Sequence, residues 1–348
     1  MTAVRDVGDG VRKVAAVRTR GLNRVRLVTL VLLVMLAALF ITALAVGSVF
    51  ISPGNVLGAL FGEAPRRATY IVNEVRLPRA LTGALAGLAF GLSGGVFQNL
   101  VRNPLASPDV IGITMGASAA AVVCILGLGL TGVAVSGGAF IGALATASLI
   151  YVLAWRRGVT GYRLVLVGIG IAAVLSSVVS YMITRADVKD AQQALTWLTG
   201  SLTARTWIDV TPVAIILAVV APLVLVLAQS LKAIQFGDDV ATGLGVAVER
   251  RRLGLILCGV ALAAAATAAA GPVAFVAFVS GPIARRLIRG HTSALVPSAL
   301  VGAVVLIGSD LVAQHLLGNT VLPVGVVTGV LGAPYLLWLM ATRSGRAG

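Results

Sequence analysis

The chain has 348 residues, of which 58% are hydrophobic and only 11% are charged, and its mean hydropathy is +1.02. These values exclude an ordinary soluble domain, which has too little interior to hide so much apolar surface. The net charge of +15 does not require a nucleic-acid partner, because the distribution of the basic residues between apolar runs accounts for it. The composition therefore predicts a membrane protein.

Long charge-free apolar runs recur along the chain, and a bilayer core about 30 Å thick requires about 20 such residues per helix. Two runs are long enough to be hairpins: 110–155, with a glycine-rich break, and 253–284, which is interrupted at Gly271-Pro272. Ten spans are thus predicted, near 27–50, 80–101, 110–130, 133–155, 164–184, 210–231, 253–270, 273–284, 294–315 and 322–341. Because the runs are continuous rather than alternating, the expected fold class is an all-α polytopic membrane protein.

Three segments make up the predicted organisation: a basic tail at 1–26, one transmembrane domain at 27–342 and a short tail at 343–348. With the N-terminus inside, 20 of the 27 Lys and Arg residues fall in inner segments, as the positive-inside rule requires. Both termini are therefore expected in the cytoplasm, with the protein multi-pass in the inner cell membrane. The first apolar run is too long for a cleaved signal peptide. Contact of the basic tail with anionic lipid is an alternative to a plain cytoplasmic tail.

Few residues in the chain have the chemistry of a reactive or metal-binding site. Cys124 and Cys258 fall inside predicted spans, and His291 and His315 lack neighbouring ligands at metal-binding spacing, so no metal site is expected. Asp310 is the ionisable residue well inside a span, and a hydrogen bond between helices is its expected role. The sequence has no G-x-x-x-x-G-K-[ST] loop. We therefore expect no catalytic residue and no cofactor on this chain, and any ATP-driven work would have to come from a partner ATPase, which would bind the ATP and Mg²⁺.

The longest predicted inner connection, 232–252, is the expected docking site for that ATPase. Its glycines permit tight turns, and its two aspartates are well placed to start a short helix near Val240. That helix would present Val240, Ala241, Leu244 and Val246 to a groove on the partner. The candidate coupling residues are Phe236, Gly237, Asp238, Asp239, Val240, Ala241, Gly243, Leu244, Gly245 and Val246. An ordinary solvated loop with positive-inside arginines is the alternative.

Short motifs occur in a fixed order from the first span to the C-terminus. They are RLPR at 76–79, GVFQN at 95–99, RNPLASPDVIG at 102–112, GA at 116–117, Trp197 with Gly200-Ser201, the glycine loop at 237–245, GPVAFV at 271–276, IARRL at 283–287, LPVGVVTG at 322–329 and GAP at 332–334. Together they resemble the iron-siderophore and vitamin B12 permease family of ABC importers. So many ordered matches make the resemblance specific.

The resemblance implies a type II ABC importer permease of ten helices, in which helices two to five and seven to ten are inverted repeats. It implies a second permease subunit, alike or different, two cytoplasmic ATPases and an extracytoplasmic substrate-binding protein. The implied function is ATP-driven import of a ferric siderophore by alternating access, with this chain as a transport subunit and not an enzyme. Import of vitamin B12 or haem by the same subunit type is the alternative, and an ion-coupled secondary transporter is an alternative of another class.

Two departures from the family pattern bear on the substrate and on the outer face. Where many family members, B12 and haem permeases among them, have a Pro-His pair, this chain has Ser280-Gly281-Pro282, which favours a siderophore. Val321 replaces the acidic residue commonly found before the Leu-Pro-Val-Gly segment, so no charged contact is assigned there.

The family docks its binding protein through basic residues on the outer face. By this resemblance the candidate docking residues are Arg66, Arg67, Arg76 and Arg79. These arginines would meet acidic residues on the binding protein's two lobes. The alternative is that Arg76 and Arg79 only anchor the second span at the membrane interface.

Ser176, Ser180 and Thr184 recur every four residues, so they share one face of the fifth predicted span. In the family this helix and helix ten line the passage, and the three residues are the candidate translocation path. A polar stripe also packs helices together in lipid, which is the alternative.

Overall fold

The chain folds into a bundle of helices, and the computed structural model describes residues 2–344 except 48, 156–160, 290–293 and 317–320. Within these residues the α-helices are α1 Thr2–Ala45, α2 Pro53–Phe61, α3 Arg66–Tyr70, α4 Leu77–Val101, α5 Pro108–Ile111, α6 Ile113–Val122, α7 Val133–Ala154, α8 Gly161–Arg185, α9 Val188–Leu198, α10 Trp207–Leu227, α11 Leu231–Gln235, α12 Asp238–Gly243, α13 Val248–Ala270, α14 Val276–Ile288, α15 Leu295–His315 and α16 Val324–Ser344. Short π-helical turns cover Ile71–Arg76 and Val123–Gly127, and Ala228–Ser230 is a 3₁₀ turn. The described residues contain no β-strand.

Ten of these helices correspond to the ten predicted spans: α1, α4, α6, α7, α8, α10, α13, α14, α15 and α16. Seven helical stretches in the described residues are long and apolar enough to cross a membrane, and two shorter apolar ones cover Ile113–Gly127 and Val324–Leu339. The expected all-α polytopic membrane fold is therefore confirmed. The helix containing the second span begins earlier than predicted, because Arg66–Val101 is one continuous helical stretch.

The basic segment at the N-terminus continues as helix into the first span. Helix α1 has 44 residues, about 66 Å at 1.5 Å per residue, which is twice the thickness of a bilayer core. The extra length therefore extends beyond the membrane. At the other terminus, residues 345–348 of the predicted tail lie outside the described part of the chain, as does His291.

Helix α4 forms the centre of the bundle and packs against α13, α14 and α15. Its contact with α15 depends on glycines, because a Cβ on Gly87 would overlap the backbone of Ala303 and one on Gly91 would overlap the Ser298 carbonyl. Gly302 meets the backbone of α4 from the opposite side. Such small residues let two helix backbones approach closely, which is how helices associate in lipid.

The packing repeats between the two halves of the chain. Helix α6 packs on α7 as α14 packs on α15, and α4 packs on α15 as α13 packs on α7. Helices α4 and α13, the first of each half, contact one another. This exchange of equivalent partners is what the expected inverted repeat requires.

The second helix of each half is short. Helix α6 has 10 residues with a π-helical turn of 5 after it, and α14 has 13 residues. At about 1.5 Å per residue neither reaches the roughly 30 Å of a bilayer core. Each follows a connection rich in glycine or proline, 102–112 or 271–275, so both begin inside the bundle.

Candidate functional site

The connection between α10 and α13 projects an apolar surface from one end of the bundle, which we call the coupling face. Gly237 and Gly245, with φ of 120° and 79°, make the turns on either side of α12, where an ordinary side chain is disfavoured. Phe236, Val240 and Leu244 are 79%, 51% and 68% exposed. Large apolar side chains exposed together on a short helix indicate a surface for a partner.

The same connection is held firmly on its inner side. Ala241 is fully buried against Ile234 and Val248, so the expectation that it faces the partner is wrong, and Val246 packs partly against this cluster. Arg252 donates two hydrogen bonds of 2.9 Å to the Asp238 carboxylate and thereby ties the start of α12 to α13. A bidentate pair of this kind fixes orientation as well as position.

The docking candidates divide into two pairs, and α3 carries the exposed one. Arg66 and Arg67 are exposed on the opposite end of the bundle, where α2 and α3 pack beside the start of α4. This end is the one predicted from the sequence to be extracytoplasmic, and we call it the outer face. Neither side chain makes an ion pair or a side-chain hydrogen bond with another described residue. Two adjacent exposed cations present a positive surface to a partner.

Arg76 and Arg79 instead make contacts inside the chain. Arg76 is buried, and its guanidinium donates to the carbonyls of Leu44 and Ala45 at 2.8 and 2.9 Å and to that of Val49 at 2.5 Å. These bonds satisfy the carbonyls at the end of α1. The geometry thus corrects the docking prediction for Arg76, which ties the start of the second span to the end of α1; its anchoring at the membrane interface stays a prediction.

Arg79 pairs with the acid expected to bridge helices. Its Nε and Nη2 donate to the two Asp310 oxygens at 3.0 and 2.8 Å, and Gln314 donates to Asp310 at 2.8 Å. The expected contact of Asp310 between helices is confirmed, with α4 as the second helix. Arg79 is therefore also engaged within the chain rather than free to meet a binding protein.

The predicted polar stripe lies on the surface of the isolated subunit. Ser176, Ser180 and Thr184 are all exposed on α8, and the Thr184 hydroxyl donates to the Ser180 carbonyl at 2.8 Å. The chain itself therefore does not bury the stripe, and its role in a passage stays a prediction.

A cavity of about 770 Å³ with polar groups in its walls lies beside the starts of α7 and α10 and along α9. Lys189, Gln192, Gln193 and the Arg205–Asp209 ion pair, 3.2 Å apart, contribute its polar groups. Sequence reasoning missed this cavity, because its walls come from three segments that only the fold brings together.

Two further polar contacts inside the bundle were not expected from the sequence. Gln98 donates to the Phe278 carbonyl at 2.9 Å and accepts a 2.7 Å hydrogen bond from Arg285, linking α4 to α14. Asp109 accepts a hydrogen bond from Thr114 at 2.6 Å. Both residues lie within or beside the motifs at 95–112, which is the signal that could have identified them.

Metal ligands do not gather at any point of the described chain. No group of three or more His, Cys, Asp and Glu residues occurs among the described residues. Cys124 and Cys258 are buried without a disulfide, and the His315 ring lies 2.8 Å from the Leu311 carbonyl of its own helix.

Ten apolar helices in two halves with equivalent packing, two half-length helices and an exposed apolar loop at one end define a polytopic membrane permease. The sequence profile described as the FecCD transport family matches residues 30–342. The chain belongs to this family.

Curated relatives and solved structures agree with the family assignment. The chain is 41% identical to the ferric enterobactin transport system permease protein FepG of Escherichia coli, over 92% of this chain and 98% of the relative. It is 39% identical to the achromobactin transport system permease protein CbrC of Dickeya dadantii, over 93% of each chain. The iron(3+)-hydroxamate import system permease protein FhuG of Bacillus subtilis is 35% identical, over 91% of this chain and 97% of the relative.

One solved structure, described as an inward-facing metal-chelate type ABC transporter, superposes with a TM-score of 0.79 at 23% identity. The superposition covers 90% of this chain and 98% of the chain in the solved structure. At this identity the likeness is one of fold, and it extends over nearly the whole bundle.

Proposed function

We propose that this chain is the membrane permease subunit of an ATP-driven ABC importer that carries a ferric siderophore into the cytoplasm by alternating access. The observation that carries the proposal is the set of relatives named for ferric enterobactin, achromobactin and iron(3+)-hydroxamate, 35–41% identical over more than 90% of the chain. The chain contributes the path and no chemistry of its own. ATP and Mg²⁺ bind to the ATPase partner, and this chain binds no cofactor.

The ATPase docks on the coupling face. Phe236, Val240 and Leu244 supply the apolar contact, and the Asp238–Arg252 pair holds the helix at a fixed angle. Movement of the ATPase is thereby passed to α13, because α12 is tied directly to it. The basic segments near this face support a cytoplasmic location for it and for both termini.

A binding protein delivers the chelate at the outer face, where Arg66 and Arg67 meet acidic residues on it. A second permease subunit, a copy of this chain or a related one, pairs across the passage. The exposed stripe Ser176, Ser180 and Thr184 on α8 then faces that passage and offers hydroxyls to a polar chelate.

The test is reconstitution of the chain in vesicles with its ATPase and binding protein, with uptake of labelled ligand measured alongside ATP hydrolysis. We expect uptake of a ferric siderophore that requires ATP and the binding protein. Uptake of cobalamin or haem instead would identify that compound as the substrate and favour the alternative, a vitamin B12 or haem permease. Uptake driven by an ion gradient without the ATPase would overturn the proposal.

A further inference from the structure

Asp109 is partly buried, and one oxygen of its carboxylate is shielded from solvent in a place that neither coupling nor docking accounts for. It lies in α5, within the connection from α4 to α6. Its Oδ1 accepts the 2.6 Å hydrogen bond from the Thr114 hydroxyl, and α5 packs against α14, which brings the backbone N–H of Phe275 near the carboxylate. Its Oδ2 is buried and has no hydrogen bond from any described residue. Shielding a carboxylate oxygen from water without a hydrogen-bond donor costs free energy, so a carboxylate at this position calls for a functional explanation.

The partners of this carboxylate are the starts of two helices. Thr114 belongs to the first turn of α6, and Phe275 immediately precedes α14. A helix start carries about half a positive charge, so two starts beside one carboxylate stabilise its negative charge. Helices α6 and α14 are the half-length equivalents of the two repeats, so Asp109 places a charged group between equivalent helices of the two repeats.

On one side, α5, which contains Asp109, packs against α8. A Cβ on Gly168 of α8 would overlap the carbonyl of Ile111, and Gly112 lies against Gly168 and Ala172. Only a residue without a side chain at position 168 lets α5 approach this closely.

On the other side, Phe275 is seated against α16. A Cβ on Gly332 of α16 would overlap the Phe275 side chain. Phe275 has φ of 67°, a left-handed conformation that costs an aromatic residue about 1–2 kcal/mol and is held by its surroundings. A continuous chain of contacts thus runs from Gly168 through Ile111, Asp109 and Phe275 to Gly332.

We propose that Asp109 is a positioning residue that links α8 to α16 through the starts of α6 and α14, so that the two helices change access together. The inference rests on the proposed function, in which α8 lines the passage, and on the family resemblance, which implies that the tenth span, α16, lines it as well. The link works only with a charged carboxylate, because an amide of the same shape is held more weakly by helix dipoles.

The experiment compares Asp109→Asn with the unmodified chain in the complete reconstituted complex. The first readout is the number of ATP molecules hydrolysed per chelate transported. The second is labelling of Ser180→Cys by a membrane-impermeant maleimide added on either side, with and without ATP. We expect Asp109→Asn to raise the ATP-to-chelate ratio about fivefold or more, as loss of a coupling of about 1 kcal/mol would. In the unmodified complex, Ser180→Cys should be labelled from only one side of the membrane in each nucleotide state. In Asp109→Asn, it should be labelled from both sides.

Asp190→Asn is the matched control, because it removes the same charge from an exposed position on α9. It should leave both readouts unchanged. Thr114→Val, which removes only the donor to Oδ1, should raise the ratio by a smaller factor and serves if Asp109→Asn does not assemble. An unmodified complex that moves no chelate would contradict the proposed function itself. The role of Asp109 would be overturned if the unmodified complex transports the chelate and Asp109→Asn leaves both the ATP-to-chelate ratio and the labelling unchanged. If Asp109→Asn does not assemble, the same result in Thr114→Val would overturn it.

Discussion

Arg79 on α4 and Asp310 on α15 form a two-pronged ion pair near the outer face, with both carboxylate oxygens accepting hydrogen bonds from one guanidinium. The side chains are 17% and 6% exposed. Removing one partner would leave the other charge shielded from water without compensation.

Asp310→Ala should therefore lower the free energy of unfolding by about 3 kcal/mol, whereas the double change Arg79→Leu with Asp310→Leu should recover much of the loss. Thermal unfolding of the purified protein in detergent measures both. Glu249→Ala, which breaks the more exposed pair with Arg252, is the comparison and should cost under about 1 kcal/mol. Equal losses in Asp310→Ala and Glu249→Ala would contradict the assignment.

Gly87→Ala should destabilise the bundle by about 1–3 kcal/mol, because the added methyl would overlap the Ala303 backbone and push α4 and α15 apart. The amount of folded protein and its unfolding temperature report the effect. Gly170→Ala on α8 is the matched control, since nothing lies within 4 Å of its Cβ position. That control should be neutral or slightly stabilising, as alanine favours helix over glycine. Similar behaviour of the two variants would refute the close packing.

Leu244→Asp should weaken binding of the ATPase about tenfold or more, because it places a charge in the centre of the apolar surface on the coupling face. Retention of the ATPase during purification and ATP-dependent uptake should fall together. Ala247→Asp adds the same charge at an exposed position before α13, where aspartate is accepted as a helix cap, and should bind normally. An ATPase that binds Leu244→Asp as well as the unmodified chain would place the coupling surface elsewhere.

Reversal of the exposed docking charges, Arg66→Glu with Arg67→Glu, should weaken binding of the substrate-binding protein about tenfold or more in dilute salt. The deficit should shrink as salt rises, because exposed charges are screened over about 10 Å at 0.1 M. Titration calorimetry without the ATPase provides the measurement. Arg250→Glu, at an exposed position near the coupling face, should bind as the unmodified chain does. A salt-independent effect, or none, would argue against docking at α3.

Ser180→Trp should block uptake if the stripe on α8 faces the passage, because the indole would fill space the chelate needs. Val178→Trp puts the same bulk on the opposite side of the same helix and should leave uptake within about twofold of the unmodified chain. Unimpaired transport by Ser180→Trp would favour the alternative in which the stripe only packs helices.

Hydropathy was sufficient to find the spans, because a bilayer demands a minimum apolar length whatever the helices contact. The break at Gly271-Pro272 was read correctly from backbone chemistry, since proline cannot continue the hydrogen-bond ladder. What the pattern could not reveal was that α6 and α14 begin inside the bundle, because that depends on how the two connections fold inward.

The roles of single charged residues were harder to predict. Arg66 and Arg76 look alike in sequence, yet one is exposed and the other donates to the carbonyls that end α1. Ala241 looked like part of an apolar surface and is fully buried, because a six-residue helix must turn one side toward the bundle. Such differences come from contacts distant in sequence, which periodicity does not encode.

The glycine contact between α4 and α15 also limits where motion can occur. Two backbones that touch along Gly87, Gly91 and Gly302 cannot slide or rotate against each other without collision, so α4 and α15 form a rigid pair. By contrast, α8 and α10 leave most of their side chains outside the core. In any rearrangement that opens one side of the membrane and then the other, the outer helices must therefore rotate about the fixed α4–α15 pair.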